Sequence, residues 1–233
     1  MEQLFDTHFH LDLQKNISKA IEDIESNGIY TIAVTNLPDL FQKEKNIYQS
    51  KYIRVALGMH PELVHEYSHQ ISLMWKLLSE AKYIGEVGLD FTDKSYYSEQ
   101  VAFFEELVDR CRMDATKIMT IHSRKAASIV LDIIGSDFKF KPILHWFVGT
   151  QKELDVAIEK GYYFSVNSTM LASKKSQNLL LDIPRDRLLI ETDAPFGTKE
   201  EYINSLSIVY QYLTSIGCSP LENFRNLLTL TID

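Results

Sequence analysis

Six residues of metal-ligand type fall in order along this 233-residue chain, each at the end of a short apolar run. They are His8 and His10 in FDTHFHLD, Glu86 in YIGEVGLD, His122 in MTIHSRKA, His145 in PILHWF and Asp193 in LLIETDAPF. The series constrains the fold because one arrangement serves all six. A closed barrel of parallel strands delivers the C-terminal end of every strand to one face, so residues far apart in sequence meet around a point. Four imidazoles and two carboxylates meeting there form a site for one or two divalent cations.

The rest of the pattern agrees with that geometry. Strands are expected at 4–7, 30–35, 53–57, 83–87, 118–121, 143–146, 162–166 and 188–191. Several are apolar runs without alternation, as in strands covered on both faces. Helical patterns lie between them, at 17–27, 40–49, 71–81, 98–113, 126–134, 152–160, 171–181 and 200–213. The clearest places Val101, Phe104, Leu107, Val108 and Cys111 at helical spacing. Gly28 and Gly161 each stand where a helix ends and a strand begins at once. About eight strand–helix units make an α/β chain with the repeat of a (β/α)8 TIM barrel. Periodicity does not separate this from an open doubly wound sheet. The barrel is preferred because the ligand-type residues run from first strand to last, and only closure joins those edges. No linker or low-complexity tract interrupts residues 1–233, so a single domain is expected.

A net charge of −8 argues against a broad basic face for nucleic acid, although local cations or bound metals could still grip a phosphate. Two isolated cysteines, Cys111 and Cys218, suggest a reducing compartment and no disulfide framework. The start, MEQLFDTHF, has no basic segment followed by an apolar run, and no stretch is long enough to span a bilayer. A soluble, cytoplasmic protein is expected.

Each candidate has an ordinary reading beside the functional one. His8 and His10 are two apart and share one side of a strand, where two unpaired imidazoles would be costly to bury. Glu86 sits among apolar neighbours between Gly85 and Gly88; it either bridges cations or pairs with a Lys or Arg. His122 and His145 each end a strand, and either alone could be a hydrogen-bonded core histidine. Asp193 is a turn aspartate before Pro195 or a ligand that also takes a proton from water. His60, in GMHPE, lies on the same face outside the set of six and reads as a substrate contact or a turn histidine. His65 and His69 read as surface residues. Arg124 could meet an anionic substrate. Lys174 and Lys175 could do so from a loop, or form a solvated pair. Trp146 and Phe196 could stack a base or pack the barrel. There is no phosphate-cradling glycine loop, no Gly-x-Ser-x-Gly elbow and no CxxC.

Taken together, FDTHFHLD, GMHPE, YIGEVGLD, IHSRKA, ILHWF and ETDAPF resemble the TatD-like metal-dependent deoxyribonucleases, within the wider amidohydrolase-type barrels. The stretches IHSRKAASIVLD, ILHWFVGTQKELD, YYFSVNSTMLASKK and IPRDRLLIETDAPF look most like the QatD group of the Qat anti-phage systems. Trp146 carries that likeness, since the general family has Cys after this histidine. The resemblance implies two divalent metal ions (Mg, Mn or Zn). His8, His10 and Asp193 would hold one, and Glu86 would bridge to a second held by His122 and His145. His60 would act near the scissile phosphate, and catalysis would rest on Asp193, Glu86 and His60. Substrate would meet His60, Arg124 and Trp146. DNA, single-stranded or at an end, would be the partner, with other Qat proteins as further partners and no membrane. The chain departs from the family in TKIMTIHSR, which lacks a usual proline, at Ala127 and Ser128, where an acidic residue is common, and after ETDAPF, where GTKEEYINS runs on. Two alternatives stay open: a hydrolase of a non-nucleic-acid ester or amide on the same barrel, and a subunit active only in complex with partner proteins.

Overall fold

The computed structural model describes residues 3–47, 50–194 and 199–229. Eight parallel strands alternate with helices: β1 (Phe5–Phe9), β2 (Tyr30–Ala33), β3 (Ile53–Val55), β4 (Tyr83–Gly88), β5 (Ile118–His122), β6 (Lys141–His145), β7 (Tyr163–Val166) and β8 (Leu188–Ile190). The helices are α1 (Ile17–Asn27), α2 (Pro38–Ile47), α3 (Ile71–Leu77), α4 (Tyr97–Cys111), α5 (Ala127–Ile134), α6 (Gln151–Glu159), α7 (Ser168–Leu171), α8 (Lys174–Asp182), α9 (Lys199–Ser215) and α10 (Pro220–Leu228). Strand neighbours follow sequence order, β1-β2-β3 and β4-β5-β6-β7-β8. The two arcs join where Leu57 N–H donates to Tyr83 O at 2.9 Å and Gly85 N–H to Leu57 O at 2.8 Å. They close on the other side through Asp193 N–H to His8 O (2.9 Å), His10 N–H to Ala194 O (3.0 Å) and Thr7 Oγ1 to Ile190 O (3.0 Å). The fold is a (β/α)8 barrel. The doubly wound sheet is excluded because the first strand is bonded to the last.

Strands β1, β4, β7 and β8 are buried along their whole length; β8, LLI, reads as a continuous apolar run, whereas β1, FDTHF, buries its Asp, Thr and His as well. The helices pack their apolar stripes on the barrel; in α4 the buried side includes Phe103, Phe104, Leu107, Val108 and Cys111. Helix ends differ from expectation where capping decides them. The 171–181 pattern breaks into α7 and α8, because Asn167 and Ser173 each accept a hydrogen bond from a backbone N–H and start a new helix. Lys174 and Lys175 therefore lie exposed in the first turn of α8, not in a loop. Helix α10 was not expected. Pro220 begins it, and Phe224 stacks on Phe5 with ring centroids 4.3 Å apart.

Candidate metal centre at the strand ends

Local sequence brings the strand ends close together. Gly58 follows β3, and a Cβ there would lie 1.6 Å from Thr35 O and 2.7 Å from Glu86 N. Only glycine lets β2, β3 and β4 converge so tightly, and that convergence sets His60 beside Glu86. Gly88 has φ of +133°, and a Cβ on it would lie 2.1 Å from His122 O. The glycines around Glu86 thus admit the neighbouring strand that carries His122. Two of the residues after strand ends, Trp146 (φ 41°) and Asp193 (φ 55°), hold left-handed backbone without being glycine, a strain that tends to gather at functional sites.

Glu86 lies at the centre. Its Oε2 is 3.1 Å from His10 Nε2, 3.5 Å from His8 Nε2 and 3.6 Å from His60 Nε2. Its Oε1 is 2.6 Å from His122 Nδ1 and 2.9 Å from His145 Nε2. Asp193 Oδ1 stands 3.5 Å from His10 Nε2 and 3.7 Å from His8 Nε2. The structure therefore brings together all six residues of the ordered series, and His60 with them.

Four of the five histidines turn one nitrogen to the centre and the other to a polar side chain. His8 Nδ1 bonds Thr120 Oγ1 at 2.7 Å, and His122 Nε2 bonds Asp90 Oδ2 at 2.8 Å. His10 Nδ1 faces Asp12 Oδ1, and His145 Nδ1 faces Glu191 Oε2, both at 3.7 Å. His60 is the exception: its Nδ1 accepts the Glu62 N–H at 3.2 Å. A neutral His60 then carries its hydrogen on Nε2, so it offers the centre a donor and not a lone pair.

Charge follows from this packing. Burial opposes a charge on Glu86, but the surrounding imidazoles of His60, His145 and His8 hold it well below the usual carboxylate range. Burial is likewise overcome at Asp193, which His10 and His8 hold low, and at His10 and His145, which the carboxylates push well above the usual range. Burial wins at His60, pushed down to about 4, and at His8, where His145 adds to the downward shift.

The donor set fits divalent cations. His8 Nε2 is buried with no hydrogen-bond partner, an orphan that a metal would satisfy. Ligand atoms of His8, His10 and Asp193 lie within 4.8 Å of one another, as do those of His60, Glu86 and His122, and of His8, His145 and Glu191. Glu191 belongs behind the site, because both its oxygens already accept hydrogen bonds, from Ser165 Oγ on one side and from Asn167 Nδ2 (3.0 Å) and Trp146 N–H (3.1 Å) on the other. Imidazole and carboxylate donors suit Zn, Mn or Mg without choosing among them.

The centre opens into a cavity of about 530 Å³. Arg124, half-buried Trp146 and exposed Leu13 and Val148 line it beside the histidines. His65 and His69 are exposed and do not line it. Phe196 and Pro195 lie outside the described residues. Asp12, Asp90, Thr120 and Glu191, which back the histidines, were not singled out in the sequence. All four sit inside the quoted motifs, in HLD, GLD, MTIH and ETD.

Fold and centre define a (β/α)8 barrel with a candidate site for divalent cations at its strand ends, and the family match makes it a metal-dependent hydrolase. The chain belongs to the TatD related DNase family, whose model matches residues 5–228. It is 28% identical over 212 residues to the metal-dependent hydrolase YabD of Bacillus subtilis, covering 85% of this chain and 83% of that one. It is 25% identical to the human deoxyribonuclease TATDN3, over 97% of this chain and 92% of that one. A TatD family hydrolase from Entamoeba histolytica shares the fold with a TM-score of 0.72 at 20% identity, covering 97% and 96% of the two chains.

Proposed function

We propose that the chain is a deoxyribonuclease that cleaves phosphodiester bonds at a DNA strand end with two divalent cations. The observation that carries this reading is the convergence of five histidines and Asp193 around Glu86, four of those histidines lining one open cavity with Arg124 and Trp146 at its edge. His8, His10 and Asp193 would hold one ion; Glu86, His122 and His145 would hold the other. Bound there, such ions neutralise phosphate charge and lower the pKa of a bound water from about 15.7 toward 7. Asp193, kept ionised, accepts the proton of the attacking water. His60, neutral with its hydrogen on Nε2, donates a hydrogen bond from that atom to a phosphoryl oxygen and stabilises the charge that builds there. Arg124 meets the adjoining phosphate, and Trp146 offers a face to a base. Among relatives, a TatD protein of Erwinia tasmaniensis, 30% identical over 62% of this chain, is a 3'-5' ssDNA/RNA exonuclease, which favours an unpaired end as substrate. Residues 1–233 act as one hydrolase unit in this reading, and the likeness of the Trp146 motif to the QatD group supports a role in an anti-phage system with protein partners. The two unpaired, buried thiols fit a cytoplasmic setting.

The test is cleavage of end-labelled single-stranded DNA with Mg²⁺ or Mn²⁺, beside chelator and an Asp193→Asn variant. Metal-dependent shortening that the variant loses supports the proposal. Intact DNA under every metal, with measurable metal binding, removes it.

A further inference from the structure

Behind the centre, the carboxylate of Glu191 is fully buried and serves two neighbouring residues of the same strand end. Its Oε1 accepts the Trp146 N–H at 3.1 Å and Asn167 Nδ2 at 3.0 Å. Its Oε2 accepts Ser165 Oγ and stands 3.7 Å from His145 Nδ1, a buried nitrogen with no hydrogen-bond partner. His145 turns its other nitrogen to Glu86, and Trp146 takes a left-handed backbone that sets its indole at the cavity.

We propose that Glu191 is a positioning residue with two separable duties: Oε2 decides which nitrogen of His145 is bare toward the metal centre, and Oε1 holds Trp146 where it walls the substrate cavity. A carboxylate only accepts, so it selects the His145 tautomer with hydrogen on Nδ1 and leaves Nε2 as the ligand. The proposal rests on His145 being a ligand.

The division between the two oxygens makes the proposal specific. In Glu191→Gln the amide oxygen must take the Oε1 place, because Trp146 N–H and Asn167 Nδ2 both donate. The amide NH2 then faces Ser165 Oγ, which can accept, and His145 Nδ1, which must turn bare to receive it. The hydrogen of His145 moves to Nε2, the wrong side for a ligand. Trp146 stays in place.

The experiment measures Mn²⁺ affinity by titration calorimetry and Trp146 emission in a Trp75→Phe background, since Trp75 and Trp146 are the two tryptophans. Glu191→Gln should weaken Mn²⁺ about 10–100-fold with Trp146 emission unchanged. Glu191→Ala should weaken Mn²⁺ and also shift the emission. Unchanged affinity in a folded Glu191→Gln protein overturns the proposal, as does an emission that stays fixed in a folded Glu191→Ala protein. His145→Ala separates the two readings: unchanged Mn²⁺ affinity there means that His145 is not a ligand. Where the Glu191 variants do not fold, ¹⁵N-histidine NMR of the Zn²⁺-loaded native protein decides. Hydrogen on Nδ1 of His145 with Nε2 bare supports the proposal, and hydrogen on Nε2 overturns it.

Discussion

His60 shows how one hydrogen bond changes what a residue can do. Its Nε2 stands 3.6 Å from Glu86 Oε2, against 3.5 Å for His8, but the Glu62 N–H occupies its Nδ1 and leaves a donor facing the cavity. In the proposed reaction, His60→Ala should lower kcat by about 10²–10³-fold, the range for losing one hydrogen-bond donor to a developing oxyanion. Metal content by elemental analysis should stay the same; loss of metal in the variant would make His60 a ligand instead. Glu44 illustrates a second residue effect, away from the ligands. It is buried, its Oε2 has no partner, and burial with the nearby charge of Asp12 pushes it up from 4.5 to about 7. Because the folded protein favours the neutral acid, the stability it contributes is full below pH 4.5 and is lost as pH rises through about 7. Glu44→Gln should therefore be near neutral at pH 4 and stabilising by about 1–2 kcal/mol at pH 8, after discounting for screening. Urea unfolding of both proteins across that range would check the sign.

The elements follow a polarity rule. Helix C-termini lie toward the start of the strands, and long cations meet their open carbonyls there. Lys117 Nζ donates to Leu78 O (3.0 Å) and Ala81 O (2.7 Å) after α3; Lys160 Nζ donates to Leu131 O (2.8 Å) in α5. Arg185 reaches Leu180 O and Leu181 O in α8 and Ile216 O after α9. Three of the 24 basic residues in this acidic chain thus cap helix C-termini. Replacing buried Lys117 with Met takes the Nζ donor from Ala81 O and leaves Leu78 O only the Ala81 N–H at 3.4 Å, which should cost about 1–3 kcal/mol in urea denaturation, with cleavage unaffected. At the other ends, Asn16, Thr150, Asn167 and Ser173 accept backbone N–H groups, and these short caps set where helices begin on the side of the metal centre. Among the described residues, no helix is long and apolar enough to cross a membrane.

For the whole molecule, closure and the centre are coupled, because β1 carries His8 and the residue bonded to His8 O is Asp193 beyond β8. A cation bound by the two ends should stabilise the closed barrel by about 2.7 kcal/mol at 100 times its Kd, a rise of roughly 5–10 °C in Tm for a chain of this size. Thermal scans with Mn²⁺ and with chelator would show it, and His8→Ala should remove most of the difference. The eight strands and the ordered ligand-type residues were legible in the sequence, because a histidine or carboxylate at the end of an apolar run stands out from its surroundings. Helix α10 was not, since the count of eight strand–helix units was already complete without Pro220–Leu228. By itself the sequence determined which residues of ligand type stand at the strand ends and that their strands are buried on both faces, for these are properties of local pattern. Only the tertiary structure decided the rest: that β1 bonds to β8, that His60 presents a hydrogen, that Asp90, Asp12, Thr120 and Glu191 stand behind the histidines, and that Trp146 reaches the cavity. Each of these depends on register between strands distant in the chain, where an offset of one residue would turn the same side chains to the opposite face.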